Sequence, residues 1–350
     1  MNRKHRMTVA VVAFAAIAPT LASPARATEP FAKIVFQING SPLATPRSAR
    51  NQAIGGAGVA DPTTPANAVY NPANLVGDDG VFAFYDHHRL YDMADVYDAG
   101  ISAARTWSGS GVRGAVAVRQ VFQRYDPVIV RTVYVPEGST FQADDRGTGV
   151  ATAVSVPVGG ARLAVGAGVE HATMQFAADN TEAWAFDGGA LVSMPFQDAR
   201  GDRYETHVGL SLLNAGNGFE FGSVQSESHR QVRAGLGARY ASSRTVPAPF
   251  SARVASVATL SVAVDLVLDD PAIESPTALA GFEVGLLETI FLRAGTGGQM
   301  GEQGDGASYG AGLAVGYGPI RLHADVAVYP SRSSLEDTET LLGLALDYRP

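Results

Sequence analysis

The most suggestive candidates for chemistry in this chain are two adjacent histidines. His87 and His88 follow Asp86, and imidazole nitrogens and carboxylate oxygens are common zinc ligands. The surrounding pattern predicts a β-strand, in which successive side chains point to opposite faces. The two imidazoles therefore cannot bind one ion without a bulge, and we predict a position at an aqueous rim and no metal site.

Other catalytic signatures are weak. Residues 56–60 imitate a dinucleotide-binding fingerprint, but Pro62 and Pro65 follow at once and the chain has no βαβ pattern. The sequence contains no Walker A motif, no Gly-x-Ser-x-Gly elbow and no persuasive serine–histidine arrangement. It also has no cysteine, which excludes disulfides and thiolate chemistry. We predict that the protein is not an enzyme and needs no cofactor.

Charged side chains of both signs recur on the polar faces of predicted strands. They could line an interior and pair across neighbouring strands, which is a structural role. A sharper alternative is that one arginine holds the carboxylate of a substrate, and the sequence does not say which one. The candidate lumen-lining residues are Arg113, Arg119, Glu205, His207, Arg233, Arg239, Arg321 and Asp325.

The elements that must position these residues are strands with a period of two. In residues 203–213, for example, Tyr204, Val208 and Leu210 alternate with polar or small residues. About fourteen such segments are separated by turn signals. They lie near 80–90, 99–107, 111–123, 147–157, 161–173, 183–194, 203–213, 231–240, 254–268, 277–286, 289–297, 307–317, 319–329 and 339–349. Longer polar stretches such as 124–146 suggest loops at one end of the strands.

The first 27 residues predict a cleavable export signal. Arg3 and Lys4 belong to a basic start, Met7 to Ala18 form a short apolar core, and Ala25-Arg26-Ala27 resembles a cleavage site. A retained membrane anchor is the alternative. Beyond the signal, no apolar run reaches the length of a transmembrane helix. A chain of this kind can enter a membrane only as a closed barrel, because an open sheet edge leaves backbone groups unpaired.

The charge of the exported chain argues against nucleic acid as a partner. After residue 27 there remain 22 basic and 34 acidic residues, a net charge of −12. Nucleic-acid binding requires a basic surface. Only one lysine, Lys33, remains in that part of the chain.

Alternation alone does not decide which face meets lipid, since soluble sandwiches and lipocalin-like barrels alternate too. The strand number, the scarcity of lysine and the abundance of glycine on the polar faces favour an outer-membrane barrel. Leu342, Leu344, Leu346 and Tyr348 on one face resemble a C-terminal insertion strand, although Pro350 departs from that pattern. Aromatic girdles are predicted from Tyr85, Tyr91, Tyr97, Trp107, Phe122, Tyr125, Trp184, Tyr240, Tyr309, Tyr317 and Tyr329.

The most distinctive stretch is RSARNQAIGGAGVADPTTPANAVYNPANLV, residues 47–76. Its small residues Gly55, Gly56 and Gly58 precede the triplet Asn71-Pro72-Ala73. In this order the stretch resembles the N-terminal hatch of FadL-family outer-membrane barrels, including their smaller PorV/PorQ-type relatives. The resemblance implies an all-β, antiparallel transmembrane β-barrel of about 14 strands. Residues 28–78 would then form a hatch, and residues 79–350 the barrel.

The same resemblance implies a function. FadL-like barrels allow hydrophobic or amphipathic small molecules to cross the outer membrane passively, and PorV-type barrels instead act as platforms for exported proteins. The expected partners are therefore outer-membrane lipid together with either a hydrophobic ligand or an exported protein. A barrel hydrolase is the third alternative, and the sequence lacks the arrangement of serine and histidine that it needs.

Overall fold

A computed structural model describes residues 48–90, 94–132, 135–141, 143–176, 179–221, 224–225, 230–247, 254–269, 276–296, 306–330 and 338–349. The predicted signal sequence and the first part of the predicted hatch lie outside the described residues. Within the described ranges, no helix has the length and apolar composition required to span a bilayer.

Within the residues that the structure describes, twenty strands follow one another, in line with the period-two pattern from residue 80 onward. They are β1 (Gly80–Leu90), β2 (Ala94–Thr106), β3 (Arg113–Tyr125), β4 (Val128–Thr132), β5 (Val135–Phe141), β6 (Ala143–Val158), β7 (Ala161–Phe176), β8 (Asp179–Gln197), β9 (Arg203–Gly216), β10 (Glu220–Phe221), β11 (Val224–Gln225), β12 (Gln231–Ala241), β13 (Thr245–Pro247), β14 (Val254–Ser256), β15 (Ala258–Asp269), β16 (Thr277–Leu286), β17 (Ile290–Thr296), β18 (Ala307–Tyr317), β19 (Ile320–Pro330) and β20 (Thr338–Tyr348).

Fourteen of these strands form one closed antiparallel barrel, in which β1 pairs with β20. The predicted number of strands is therefore confirmed. The other six strands form three small hairpins, β4–β5, β10–β11 and β13–β14, within connections of the barrel. The β4–β5 and β10–β11 hairpins lie in the polar stretches 124–146 and 218–229, for which the sequence predicts loops. β3 and β6 also extend further into residues 124–146 than predicted.

The two ends of the barrel differ. At the terminal end, where β1 begins and β20 ends, most connections are short, such as residues 159–160 and 318–319. At the opposite end, here called the loop end, the connections include the β4–β5 and β10–β11 hairpins. The exception is the connection from β12 to β15 at the terminal end, which contains the β13–β14 hairpin.

The outward face of the wall is apolar and the inward face is polar or small. On β9, Leu210 is 56% exposed and Val208 is 42% exposed, whereas His207 and Ser211 are buried. The same alternation holds on β12 and β20, where Leu236 and Leu344 point outward. This arrangement inverts that of a soluble barrel, whose apolar side chains would fill the interior.

Two aromatic residues do not lie where the girdle prediction put them. Tyr125 and Tyr329 are 6% and 2% exposed and point inward. Their hydroxyls donate hydrogen bonds to Asp145 (2.7 Å) and Glu339 (2.9 Å). Both residues lie near strand ends, but their side chains point to the inward face of their strands. On that face a tyrosine hydroxyl can donate a hydrogen bond to a buried carboxylate. Tyr91 lies outside the described residues.

Residues 48–77, which precede β1 in the described part of the chain, lie inside the barrel, and we call them the luminal segment. It contains the short helix α1 (Ala49–Ala53) and two single 3₁₀ turns at Pro65–Val69 and Pro72–Val76. Proline stands at the first position of each 3₁₀ turn, where its missing N–H costs nothing. Thr64 and Asn71 precede these prolines, and their side chains accept backbone N–H bonds as N-caps.

Candidate functional site

The luminal segment packs directly against the backbone of the wall because the wall presents glycine there. On nine of these glycines an added Cβ would lie within 3 Å of an atom that belongs to the luminal segment or to a wall side chain that binds it. The nine, drawn from eight strands of the barrel, are Gly166, Gly189, Gly209, Gly235, Gly237, Gly281, Gly295, Gly310 and Gly343. A Cβ at Gly209, for instance, would lie 2.5 Å from the carbonyl oxygen of Val59.

Wall carboxylates satisfy backbone N–H groups of the luminal segment. Asp265 Oδ2 accepts hydrogen bonds from the amides of Gly58 (2.7 Å) and Val59 (2.9 Å). Asp86 Oδ1 accepts a bond from the amide of Ala49 at 3.1 Å. Both carboxylates are buried. Because an unpaired buried N–H is costly, each of these bonds fixes where the segment can lie.

The asparagine of the predicted hatch motif holds three backbone groups at once. Asn71 Nδ2 donates to the carbonyl oxygens of Val59 (2.8 Å) and Ala190 (3.1 Å), and its Oδ1 accepts from the Ala73 amide at 3.0 Å. The motif thereby joins two parts of the luminal segment to strand β8. Pro72 and Ala73 are buried against Gly166.

The three glycines predicted in the hatch lie at the turn after α1. Gly55 and Gly56 have φ angles of 75° and 77°, which glycine adopts without strain. Gly58 donates its amide to Asp265 and accepts a bond from Asn74 Nδ2 at 2.8 Å. All three residues are buried.

A chain of ion pairs connects the luminal segment to three wall strands. Arg50 bonds Asp61 at 2.5 Å within the segment and Glu283 on β16 at 2.9 Å. Arg293 on β17 continues the chain by bonding both Glu283 and Asp325 at 2.6 Å. We call these five residues the ionic chain. Asp325 was predicted to line the lumen, and the pairing of Arg50 with the wall was not predicted.

Burial and charge pairing shift the pKa values of Arg50 and Asp61 in opposite directions. Burial alone would raise the pKa of Asp61, but the Arg50 guanidinium and the hydroxyl and amide of Thr63 lower that pKa to about 2. Burial would lower the pKa of Arg50, and its two carboxylate partners raise it instead. The pair therefore stays charged over the whole physiological range.

Three other predicted arginines also pair inside the barrel. Arg119 lies between Asp98 (2.8 Å) and Glu170 (3.3 Å). Arg113 bonds Asp79 at 2.9 Å and the carbonyl oxygen of Val76 at 2.9 Å, where the segment leaves the lumen.

Arg233 is 2% exposed. It donates to the carbonyl oxygen of Gly56 at 3.4 Å, lies 4.0 Å from Asp265 and stacks over Tyr70 at 5.3 Å. Like Arg113, it therefore touches both the segment and the wall.

A polar cavity of about 800 Å³ opens below the luminal segment toward the terminal end. Ser48, Arg50 and Thr63 form part of its boundary on the segment side. Among the predicted lumen residues, Arg239, Glu205, Arg321 and Asp325 line it, together with the inward-facing Phe82, Phe84 and Phe291. We call this cavity the vestibule. Arg321 lies 3.9 Å from Glu288, whereas Arg239 makes no ion pair with any residue that the structure describes.

His207 lies in a short polar row. Its Nδ1 is 2.9 Å from Ser193 Oγ, and its Nε2 is 3.8 Å from Glu205. The order serine–histidine–carboxylate is that of a nucleophilic triad. However, Ser193 and His207 are 7% and 3% exposed, and Ser193 lies outside the lining of the cavities described in this section. The hydrogen bond with Ser193 satisfies His207 Nδ1, whereas His207 Nε2 is buried without a hydrogen-bond partner among the residues that the structure describes. The burial of Ser193 leaves a substrate little access to its hydroxyl.

A second, much smaller crevice of about 50 Å³ lies beside the first 3₁₀ turn. Pro65, Ala66, Ala68 and Val69 form its segment side. Small wall residues face them, namely Ala117, Gly149, Ala151 and Gly168. Its polar border includes Asp187 on β8, next to an irregularity at which the register between β8 and β9 shifts.

No metal centre emerges from this arrangement. The described part of the chain contains no group of three or more histidine, aspartate or glutamate side chains that could hold a metal ion. His87 points outward and pairs with Asp95 at 3.2 Å, while His88 is buried on the inward face.

Sequence reasoning missed the residues that anchor the segment. Asp86, Asp265, Arg50 and Glu283 were not among the predicted site residues. The alternation along the strands predicts that Asp86, Asp265 and Glu283 point inward. The partners of these residues and of Arg50 could not be predicted, because they are backbone amides or charges that are mostly far away in sequence. The partner of Gly58 is 207 residues away, for example.

Comparison with known proteins gives structural similarity only. No protein-family model matches the chain, and no curated protein matches its sequence. Solved structures similar to it include the toluene transporter TbuX of Ralstonia pickettii, with 10% identity, 86% and 98% of the two chains covered, and a TM-score of 0.49.

Two further similar structures represent different kinds of protein. A FadL homologue of Pseudomonas aeruginosa has 10% identity, coverage of 87% and 99%, and a TM-score of 0.43. The translocator domain of the autotransporter NalP from Neisseria meningitidis has 10% identity, coverage of 77% and 87%, and a TM-score of 0.42. At these values the substrates of the similar proteins are not transferred to this chain.

Substitution of a wall glycine under the luminal segment should loosen the segment. A Cβ at Gly281 would lie 2.6 Å from the carbonyl carbon of Ile54, so Gly281→Ala forces backbone to move and should cost about 1–3 kcal/mol. The matched control is Gly168→Ala, whose Cβ would meet its nearest neighbours at 3.5 Å. Limited proteolysis of residues 48–77 in the folded barrel measures the effect. Equal protease resistance in the two variants would contradict the proposed packing.

The Arg50–Asp61 pair should make stability depend on pH in the acid range. Because the folded pKa of Asp61 lies below its ordinary value of 3.8, its stabilisation is present above that pH and disappears as the pH falls toward 2. Asp61→Asn should therefore cost about 2 kcal/mol of unfolding free energy at pH 7 and almost nothing near pH 2.

Urea unfolding in detergent at several pH values measures this difference. The control is Asp126→Asn, which removes an exposed partner of Arg89 and should cost less than about 1 kcal/mol. A cost for Asp61→Asn that stays constant with pH would disprove the assignment.

Proposed function

We propose that this protein is an outer-membrane barrel through which small hydrophobic or amphipathic molecules pass without energy input, and that the luminal segment closes the path as a hatch. One observation carries the proposal. The segment is held in a closed barrel by hydrogen bonds and ion pairs over a surface of glycine, and its apolar side chains join small clusters with the wall, such as the one that contains Leu75 and Leu191. Such a contact is stable while its hydrogen bonds persist. When these bonds break, water can replace the wall as the hydrogen-bond partner of the segment.

The outward face supports insertion into a membrane. On β8, Trp184 and Phe196 point outward near the two strand ends, with Phe186, Ala190, Val192 and Met194 between them. The two aromatic residues are separated by twelve positions, about 40 Å along the strand. At a strand tilt of about 40° this corresponds to roughly 30 Å along the barrel axis, close to the apolar band with flanking aromatic girdles of transmembrane barrels.

Placement in the outer membrane belongs to the same proposal. A closed barrel exposes no unpaired backbone to hydrocarbon, and residues 1–27 have the composition of an export signal. In this orientation the terminal end faces the periplasm, because its connections are mostly short.

The crevice beside the first 3₁₀ turn is where a path for an apolar molecule would open. Its segment side is made of proline, alanine and valine, and its wall side combines glycine, alanine and larger apolar residues with the charged Arg119, Glu170 and Asp187. At its border the pairing of β8 with β9 shifts between Phe186 and Gly188, and Asn214 has a φ of 54°. A small displacement of residues 65–69 away from this part of the wall would enlarge the crevice toward the vestibule without breaking the regular pairing elsewhere in the wall.

A second function is favoured by the number of bonds that hold the segment. The ionic chain, the two carboxylates on backbone amides and Asn71 connect it to strands around the barrel. If this closure is permanent, the protein is a platform for exported proteins and transports nothing. The two functions differ in one physical respect, which is whether the segment moves.

A reversible crosslink decides between them. The natural chain has no cysteine, and the ideal Cβ of Gly343 lies 3.0 Å from the Cβ of Ala49, near the spacing that a disulfide needs. In cells lacking their own fatty-acid and hydrocarbon porins, the wild type should increase uptake of labelled oleate or toluene. The oxidised Ala49→Cys/Gly343→Cys variant should reduce uptake to background, and reduction should restore it.

The control is a crosslink that leaves the segment free. Leu292 and Ala311 are cross-strand partners on the outward face of β17 and β18, so Leu292→Cys/Ala311→Cys ties wall to wall. This variant should transport normally. Uptake that persists through the oxidised Ala49–Gly343 crosslink would exclude a hatch that must release α1 from the wall, and would leave only a local displacement of residues 65–69. A wild type that transports neither probe would favour the platform.

A further inference from the structure

The outward face of β1, β2, β3 and β6 changes character in ordered steps toward the loop end. Cross-strand partners form rows on this face, and each row lies two residues further along the strands than the one before. The first row is Ala83, Ile101, Val118 and Val150, and the second is Tyr85, Ala99, Gln120 and Thr148. The third is His87, Tyr97, Phe122 and Arg146, and the fourth is Arg89, Asp95, Arg124 and Asp144.

These rows lead from apolar through aromatic to charged side chains. From the first row to the third the distance along a strand is about 13 Å, or roughly 10 Å along the barrel axis at a tilt of about 40°. If the barrel spans a membrane, as proposed above, the third and fourth rows lie at the level of the lipid headgroups. An arginine facing lipid is tolerated at that depth and costs several kcal/mol near the midplane.

Two of the three arginines in these rows have carboxylate partners. Arg89 pairs with Asp95 at 3.2 Å and also bonds Asp126. Arg124 lies 3.7 Å from Asp144, and its Nε is buried without a hydrogen-bond partner. Arg146 is exposed and makes no ion pair with any residue that the structure describes. Arg146 is thus the guanidinium of these rows that has no described carboxylate within ion-pair distance.

Phe122 brings the two under-used guanidinium groups together. The guanidinium carbons of Arg124 and Arg146 each lie 5.3 Å from the centroid of its ring. In the same row, the ring of Tyr97 stacks on that of Phe122 with 6.3 Å between the centroids. The ring of His87 stacks on Tyr97 with 4.8 Å between the centroids. Cation–π attraction of this kind holds each guanidinium over the aromatic ring.

We propose that Arg124 and Arg146, supported by Phe122, bind the phosphate of a membrane lipid on the outside of the barrel wall. A phosphate supplies the charge and the acceptor oxygens that these N–H groups lack, and arginine binds phosphate through paired hydrogen bonds. The apolar rows just beneath the pair, such as Ile101 and Val118, would contact the acyl chains of the same molecule. The site therefore recognises a lipid that carries phosphate, because the arginines bind the phosphate and the apolar rows contact the acyl chains of the same molecule.

The test uses the full chain purified in detergent and the diphosphorylated lipid A as probe. Native mass spectrometry measures the apparent Kd for lipid A and for its dephosphorylated form. Arg124→Gln/Arg146→Gln should weaken binding of the phosphorylated lipid at least about tenfold, the loss expected for charge-assisted hydrogen bonds. The matched control is Arg105→Gln, which alters an exposed outward arginine on β2 at the terminal end and should leave Kd within about twofold.

Each result has a definite reading. Equal affinity of the wild type and the double variant would overturn the proposal, as would an equal loss in Arg105→Gln, which indicates unspecific attraction. Competition by inorganic phosphate at the concentration at which lipid A binds would show an anion site without lipid specificity and would also overturn it. Vesicle insertion is measured in parallel. A wild type that does not insert contradicts the proposed membrane location, whereas insertion without selective binding contradicts only this site.

Discussion

Closure of the barrel is the constraint on which the rest of this structure depends. Once β1 pairs with β20, each of the fourteen barrel strands has two neighbours and the barrel has no edge. Each strand then has one face toward the outside and one toward the lumen, and the period-two pattern assigns apolar residues to the first. The inward face is mostly polar or small, so the segment that fills the interior must find partners for its backbone there, while small apolar clusters such as the one with Leu75 and Leu191 add to its packing.

The luminal segment meets this requirement in two complementary ways. Glycines remove side chains from the wall, which lets the two backbones approach within van der Waals distance. At the same level, carboxylates and amides such as Asp265 and Asn71 take up the hydrogen bonds that a backbone loses when it leaves water. Neither device suffices alone, because close packing without partners buries unpaired N–H groups, and partners without close packing admit water.

The fold was largely predictable from the sequence, and the site only in part. β1, β16 and β18 begin and end at the predicted residues, since alternation and turn residues are local signals. Tyr125 and Tyr329 were assigned to the outside because they stand near strand ends, yet parity and not position decides the face. The ionic chain could not be predicted, because Arg50 meets Glu283 only through the register of strands distant in sequence.

The most direct test of this account is the environment of alternate residues on one strand. Single cysteines at His207, Val208, Leu210 and Ser211 of β9 can carry spin labels in a chain that otherwise has none, after reconstitution into vesicles. The account predicts strong collision with oxygen dissolved in lipid at Val208 and Leu210, and weak collision with both oxygen and a water-soluble nickel complex at His207 and Ser211. Exposure of Val208 and Leu210 to the nickel complex, or loss of the period of two, would contradict it.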